Sequence, residues 1–261
     1  MVPPQHGAWA FLGLPVATAA TIAPSGPALV LLVVTWVAAF PASYFLLAIA
    51  RDRGSRRPDP RRFARPLLSW CGLLLVAGVP LLLLRPWLIW VVLLYLATFA
   101  VNLGYARRHD ERALGNDLVF IGQCTVMVPV TWAVAVGASS VAPSDLPAPP
   151  AHLWVLTVAV GLLLTGSTLH VKSLIRERAR PAYRTASRAF AAGSLLASAG
   201  LALWWGLPSG LPLVAPFAWF LARSLAMGVP APRPGRIGMI ELVGFLLLVV
   251  AAAVAAAAST P

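Results

Sequence analysis

Two apolar runs stand next to each other in this sequence. Residues 66–84 read PLLSWCGLLLVAGVPLLLL, and residues 86–105 read PWLIWVVLLYLATFAVNLGY. Each run has about the 20 mainly apolar residues that an α-helix needs to cross the hydrocarbon core of a bilayer. Only Arg85 separates the runs, and Pro86 begins the second one, which marks a turn. The pair therefore predicts two consecutive transmembrane helices.

The composition extends this prediction to the whole chain. Of the 261 residues, 59% are hydrophobic and 11% are charged, and the mean hydropathy is +0.82. A soluble domain has about a quarter of its residues charged, so this chain has too few polar groups to cover a globule in water. We expect one integral membrane domain over residues 1–261.

Apolar segments of spanning length recur along the chain, separated by turns rich in proline and arginine. The predicted helices are residues 8–23, 27–50, 66–84, 86–105, 117–138, 152–174, 187–206, 211–228 and 237–258. The predicted fold class is an all-α polytopic membrane helix bundle of about nine transmembrane helices.

The positions of the basic residues predict the orientation. At or near the junctions between helices two and three, four and five, six and seven, and eight and nine lie 19 of the 20 Lys and Arg residues, and only Arg85 lies on the other side. Basic residues accumulate in cytoplasmic loops, so we expect a cytoplasmic N-terminus and an external C-terminus in a cell membrane. The net charge of +12 is spread between apolar spans rather than forming a basic face, which argues against nucleic-acid binding.

Metal and cofactor signals are weak. Cys71 and Cys124 both lie in apolar runs, and the sequence has no CxxC motif or Cys/His cluster. We therefore expect no metal ion and no cofactor. No ionisable residue falls near the midpoint of a predicted span, whereas ion-coupled transporters usually place one there, so the sequence weakens a transporter interpretation without excluding it.

Two candidate motifs lie in the N-terminal half. Gln5-His6-Gly7-Ala8-Trp9 places an imidazole and an indole at the start of helix one, which fits either an interfacial Trp anchor or part of a site. Residues 105–117 crowd three arginines and three acids into one turn. That turn is either self-neutralising or a polar lip over a phosphate, with Asn116 or Asp117 expected to cap helix five.

Two more motifs lie in the C-terminal half. Lys172, Arg176 and Arg180 recur every four residues near the end of helix six, a spacing that puts like charges on one helical face. An anion would relieve their repulsion, although such a stripe also serves as an orientation signal. In the last motif, Glu241 follows Arg236 in the first turns of helix nine, where it either pairs with that arginine or compensates the helix dipole.

These motifs resemble those of the YwiC-like family of bacterial membrane proteins. The resemblance rests on residues 5–9, Asn116-Asp117, residues 170–177 and residues 236–241. It implies a multi-pass protein of the bacterial cell membrane and by itself assigns no chemistry.

A more distant resemblance is to the UbiA-type prenyltransferases, which also have nine helices and cytoplasmic reactive loops. That resemblance implies a prenyl diphosphate held by Mg²⁺ on aspartate-rich loops between helices two and three and between helices six and seven. Here the first loop has only Asp52 and Asp59 among seven arginines, and Glu177 is the only acid in the second. So few carboxylates make a poor magnesium site.

The sequence thus predicts a cytoplasm-facing site for an anionic, lipid-like or isoprenoid ligand, such as a phosphorylated lipid. Two alternatives stay open: a lipid- or prenyl-group transferase with degenerate metal motifs, and a transporter or non-catalytic accessory subunit. The bilayer is the expected partner, and no protein partner is indicated. The candidate ligand-binding residues are His6, Trp9, Arg112, Asp117, His170, Lys172, Arg176, Glu177, Arg180, Arg236 and Glu241.

Overall fold

Helices are the only regular secondary structure in the part of the chain that the structure describes. A computed structural model describes residues 6–52, 61–137, 139–228 and 231–259, except for the side chains of His6 and Asp52. These residues form nine α-helices, which confirms the all-α fold class. The helices are α1 (His6–Ala20), α2 (Pro27–Asp52), α3 (Arg61–Leu84), α4 (Leu88–Arg107), α5 (Leu114–Val136), α6 (Ala151–Val171), α7 (Pro181–Trp205), α8 (Ala215–Ala226) and α9 (Pro234–Ala257).

Seven of these helices have the length and composition to cross a membrane. The two shorter ones are α1, with 15 residues, and α8, with 12 residues that follow a 3₁₀ turn at Leu211–Val214. A 15-residue helix is about 22 Å long, against about 30 Å for the hydrocarbon core. Residues 66–84 fall within α3 and residues 88–105 within α4, as expected for a polytopic membrane bundle.

Several helices begin earlier than the apolar runs that predicted them. Helix α3 begins at Arg61 instead of residue 66, and α7 begins at Pro181 instead of residue 187. Arginine is a good helix former, so the backbone stays helical beyond the apolar stretch, and proline suits the first helical position. Hydropathy therefore located the apolar part of α3 and of α7, which is shorter than either helix.

The residues divide into two compact units. Unit 1 consists of Met1–His6, Ala23–Gln123 and Val130–Ala148. Within it α2 packs along α3 and contacts α4. Aromatic side chains support this packing, for example Trp36 of α2 against Tyr95 of α4, with ring centroids 5.5 Å apart.

Unit 2 consists of Gly7–Ile22, Cys124–Pro129 and Pro149–Pro261. Its centre is α6, which contacts α7, α8 and α9. Leu153, Leu156, Leu163 and Leu164 of α6 are fully buried, so this helix lies inside the unit. The expectation of one integral domain stays a prediction.

The orientation in the membrane also stays a prediction, and reporter fusions test it. Fusions after His109 and Arg180 are expected to report the cytoplasm, and fusions at Ser144 and the C-terminus the outside, because 19 of 20 basic residues then lie on one side. A cytoplasmic C-terminus would contradict this path, and would mean that a short helix such as α1 or α8 does not cross the bilayer.

Candidate functional site

The charged residues of unit 2 gather at one end of its helices. Helices α6 and α7 are joined by a short turn after residue 176, and α8 and α9 by residues 227–233. Short connections make neighbouring helices antiparallel, and α7 packs on α8. The end of α6, the start of α7, the end of α8 and the start of α9 therefore lie at the same end of unit 2.

A buried ion pair joins α8 to α9 at this end. A terminal nitrogen of Arg223 lies 2.7 Å from Oε1 of Glu241, and the two side chains are only 4% and 6% exposed. The Arg223 guanidinium also stacks over the Phe220 ring, 4.0 Å from its centroid. The Ser167 hydroxyl of α6 lies beside the Glu241 carboxylate. The pair is thus enclosed by protein groups from three helices.

His170 adds an imidazole to this cluster. Its side chain is buried near the end of α6, and Nδ1 lies 3.4 Å from the hydroxyl of Ser187 on α7. The charges of Arg223 and Arg188 act on the ring. Within the described residues, Nε2 has no hydrogen-bond partner, although a buried ring nitrogen usually has one.

Helix α6 changes character after His170. Residues Lys172–Arg176 form a π-helical turn, closed by a 2.7 Å hydrogen bond from the Glu177 amide to the Lys172 carbonyl. Such turns inside helices often mark functional sites. Lys172 is buried within this turn, which brings a second buried cation to the same end of unit 2 as Arg223.

The predicted stripe of three cations on one helical face is therefore not what forms. Lys172 is buried but Arg176 is exposed, and Arg180 lies beyond the helix, where it forms an ion pair with Glu177 at 3.3 Å. The spacing argument assumed an uninterrupted α-helix, and the π turn changes the angle between successive residues.

Glu241 also has a different partner from the one that the sequence suggested. Arg236 is exposed, whereas Glu241 is buried against Arg223. Residues five apart lie about 140° from each other around an α-helix, so these two side chains point to different faces.

The remaining candidate residues lie elsewhere. Arg112 is exposed and Asp117 is half-buried, both in unit 1. The predicted cap does not form, because α5 begins at Leu114, which places Asn116 and Asp117 inside its first turn. Trp9 is half-buried in unit 2, and the side chain of His6 lies outside the described residues. Membership of one site for all eleven residues stays a prediction.

Sequence reasoning missed the residues that hold the cluster together. Arg223, Ser187 and Arg188 were not among the predicted site residues. Arg188 donates from Nε to the Ser224 carbonyl at 3.2 Å, which links α7 to α8. One signal was available: Arg223 sits within the apolar stretch WFLARSLAM, residues 219–227, and an arginine in such a stretch needs a carboxylate or another polar partner.

Comparison with known proteins places the chain in a family. The family model described as YwiC-like protein matches residues 2–132, half of the chain. A Bacillus subtilis protein named "Uncharacterized protein YwiC" is 27% identical over 186 residues, covering 70% of each chain. A Haemophilus influenzae protein described as "Uncharacterized protein" is 33% identical over 115 residues, covering 44% of each chain.

No solved structure is significantly similar to the chain. The comparisons therefore support the first resemblance seen in the sequence and give no support to the second, to UbiA-type prenyltransferases. From the family match over half of its length, the chain belongs to the YwiC-like protein family.

Proposed function

We propose that this membrane protein binds an anionic ligand, lipid-like or isoprenoid, at the charged end of unit 2, and that this end faces the cytoplasm. The observation that carries the proposal is a pair of arginines on α7 beside the buried cluster. Arg184 and Arg188 are half-buried at this end of unit 2, where the buried Glu241 is already engaged by Arg223. Within the described residues, Nε of Arg184 is buried without a hydrogen-bond partner. A buried donor without a partner is costly, so an anion at this place would stabilise the arrangement.

The surrounding charges support the same ligand class. Unit 2 has nine Lys and Arg residues but only two acids, Glu177 and Glu241. Glu177 is engaged by Arg180 and Glu241 by Arg223. Arg184 and Arg188 of α7 are half-buried. Their guanidinium groups suit phosphate, because they offer several donors in one plane.

There is also room for a ligand at the start of α9. A Cβ atom added at Gly235 or at Gly238 would meet no other group within 4 Å. The start of a helix is the positive end of its dipole, which favours a phosphate. Arg236 is exposed in the first turn of α9. We expect a phosphorylated head group to bind near the start of α9 and the arginines of α7, which lie at the same end of unit 2.

A binding experiment tests the proposal with farnesyl diphosphate as the probe. Arg188→Gln is expected to weaken binding to the detergent-purified protein by about 10–100-fold, since a charge-assisted hydrogen bond contributes about 1.5–3 kcal/mol. The matched control is Arg178→Gln, which removes an exposed charge from the turn before α7 and is expected to change affinity by less than about threefold. Isothermal titration calorimetry measures both.

Two further arms of the experiment define the ligand. Inorganic pyrophosphate is expected to bind more weakly than farnesyl diphosphate if the apolar tail contributes. Binding is expected to survive EDTA, because Asp52, Asp59 and Glu177 are the only acids in the two loops where UbiA-type enzymes hold magnesium. Loss of binding with EDTA that Mg²⁺ restores would revive the transferase alternative. Equal losses from Arg188→Gln and Arg178→Gln would contradict the proposed site.

One observation favours a transporter as the second candidate. His170, Arg223 and Glu241 are buried together between apolar helices, and ionisable groups within a membrane protein often mark ion or proton pathways. A transporter predicts movement of the probe or of protons across proteoliposomes that contain the protein, whereas a binding protein predicts none.

A further inference from the structure

Unit 1 has an apolar cleft with a single charge. The cleft lies between α2, α3 and α4, and its volume is about 330 Å³. Its lining residues are Leu46, Ile49, Ala50, Leu67, Phe99, Leu103 and Arg107. All but Arg107 are apolar, and the volume is at the small end of the roughly 300–1,000 Å³ of ligand pockets. Such a shape suits one hydrocarbon chain.

The Arg107 charge lies where the hydrocarbon chain of a bound lipid would meet its head group. Arg107 is the last residue of α4, and the exposed Arg108 follows it. Arg108 lines a second recess of about 270 Å³, together with Val101, Gly104 and Tyr105. Two adjacent guanidinium groups therefore lie at the end of α4, each beside a recess with apolar walls.

Neither of these two cations forms an ion pair among the described residues. Of the acids that follow them, Asp110 is exposed and is not paired with either arginine, and Glu111 is engaged by Arg51 at 3.1 Å. The negative end of the α4 dipole amounts to only about half an elementary charge, which is less than the two positive charges. An anion near both guanidinium groups would complete the charge balance.

We propose that this cleft binds one anionic phospholipid of the surrounding bilayer, with a hydrocarbon chain between α2 and α4 and the phosphate on Arg107 and Arg108. A phospholipid joins a chain to a phosphate, as the cleft and its arginines require. A zwitterionic lipid fits less well, because its ammonium group would be repelled by the second arginine. The site uses residues of unit 1 alone, so it stands or falls independently of the proposed function.

Native mass spectrometry of the detergent-purified protein tests the charge requirement. We expect phosphatidylglycerol to bind about tenfold more tightly than phosphatidylcholine with the same chains, and Arg107→Gln to remove most of that difference. The control variant is Arg65→Gln, which removes another exposed arginine of unit 1 that does not line the cleft. The proposal would be overturned if the unmodified protein bound the two lipids equally. It would also be overturned if Arg107→Gln and Arg65→Gln reduced the preference for phosphatidylglycerol equally.

A second variant tests whether a hydrocarbon chain occupies the apolar cleft. Ala50→Phe fills the cleft without changing its charge, and is expected to weaken both lipids at least about threefold. Inorganic phosphate at millimolar concentration is expected not to displace phosphatidylglycerol, because it lacks the chain. If Ala50→Phe melts at the temperature of the unmodified protein and still binds phosphatidylglycerol fully, the lipid does not occupy this cleft. Displacement by phosphate would reduce the site to a simple anion site and would equally contradict the proposal.

Discussion

Replacing Arg223 with methionine is expected to lower the free energy of unfolding by about 3–5 kcal/mol, the cost of leaving one member of a buried ion pair uncompensated. Glu241 is 6% exposed and lies 2.7 Å from Arg223. Without Arg223, the Glu241 carboxylate would stay buried between α6, α8 and α9 but would lose the cation that pairs with it. Reversible unfolding in mixtures of mild detergent and dodecyl sulfate measures the change.

The double variant shows whether the loss of stability comes from the unpaired Glu241 charge or from the lost packing of the Arg223 side chain. Changing Arg223 to methionine and Glu241 to leucine together is expected to recover most of the loss, because an apolar pair of similar volume often replaces a buried ion pair without cost. Arg178→Met, at an exposed position, is expected to change stability by less than about 0.5 kcal/mol. If the single Arg223 variant is as stable as the unmodified protein, the ion pair does not hold α8 to α9.

The second large loss of stability is expected from a substitution at Gly244, where α9 crosses α8. A Cβ atom added there would overlap the Phe220 ring. The ring has little freedom to move, because Phe220 is buried, Arg223 stacks on one face and the Phe245 ring lies 6.2 Å away. Gly244→Val is therefore expected to cost about 3 kcal/mol, the upper end of the usual range for an overpacked core, in the same unfolding measurement.

Gly238→Val is the matched control on the same helix. Its added atoms would meet no other group within 4 Å of the Cβ position, so we expect a change of less than about 1 kcal/mol. Similar losses for the two variants would show that valine in α9, rather than contact with Phe220, causes the effect. A loss at Gly244 alone, together with weaker probe binding, would connect the α8–α9 packing to the charged cluster through Phe220 and Arg223.

The helical class of this protein is a direct consequence of its sequence. Apolar runs such as residues 66–84 have too few polar side chains to cover a backbone in water, and in hydrocarbon each backbone amide must be satisfied within its own helix. The starts of α7 and α9 were also marked locally, since each begins with a proline, Pro181 and Pro234. Signals of this kind act within one segment, which is why they can be read without a structure.

The candidate site was predicted only in part. His170 and Glu241 were singled out, and both belong to the buried cluster. Their neighbours Arg223 and Ser187 were not, because the contacts that matter join different helices. Glu241 is 18 positions from Arg223 in the chain, and this spacing does not predict that the two side chains are in contact.

Sequence by itself determined how many helices form and where the charges lie along them. Tertiary structure alone decided which charges are buried and with what partners: Glu241 pairs with Arg223 rather than Arg236, and the π turn after α6 buries Lys172 while leaving Arg176 exposed. The physical reason is that helix formation depends on local backbone hydrogen bonds and hydropathy, whereas the partner of a buried charge depends on the rotation of each packed helix about its axis. That rotation is set by side-chain packing between helices, such as Phe220 against Gly244.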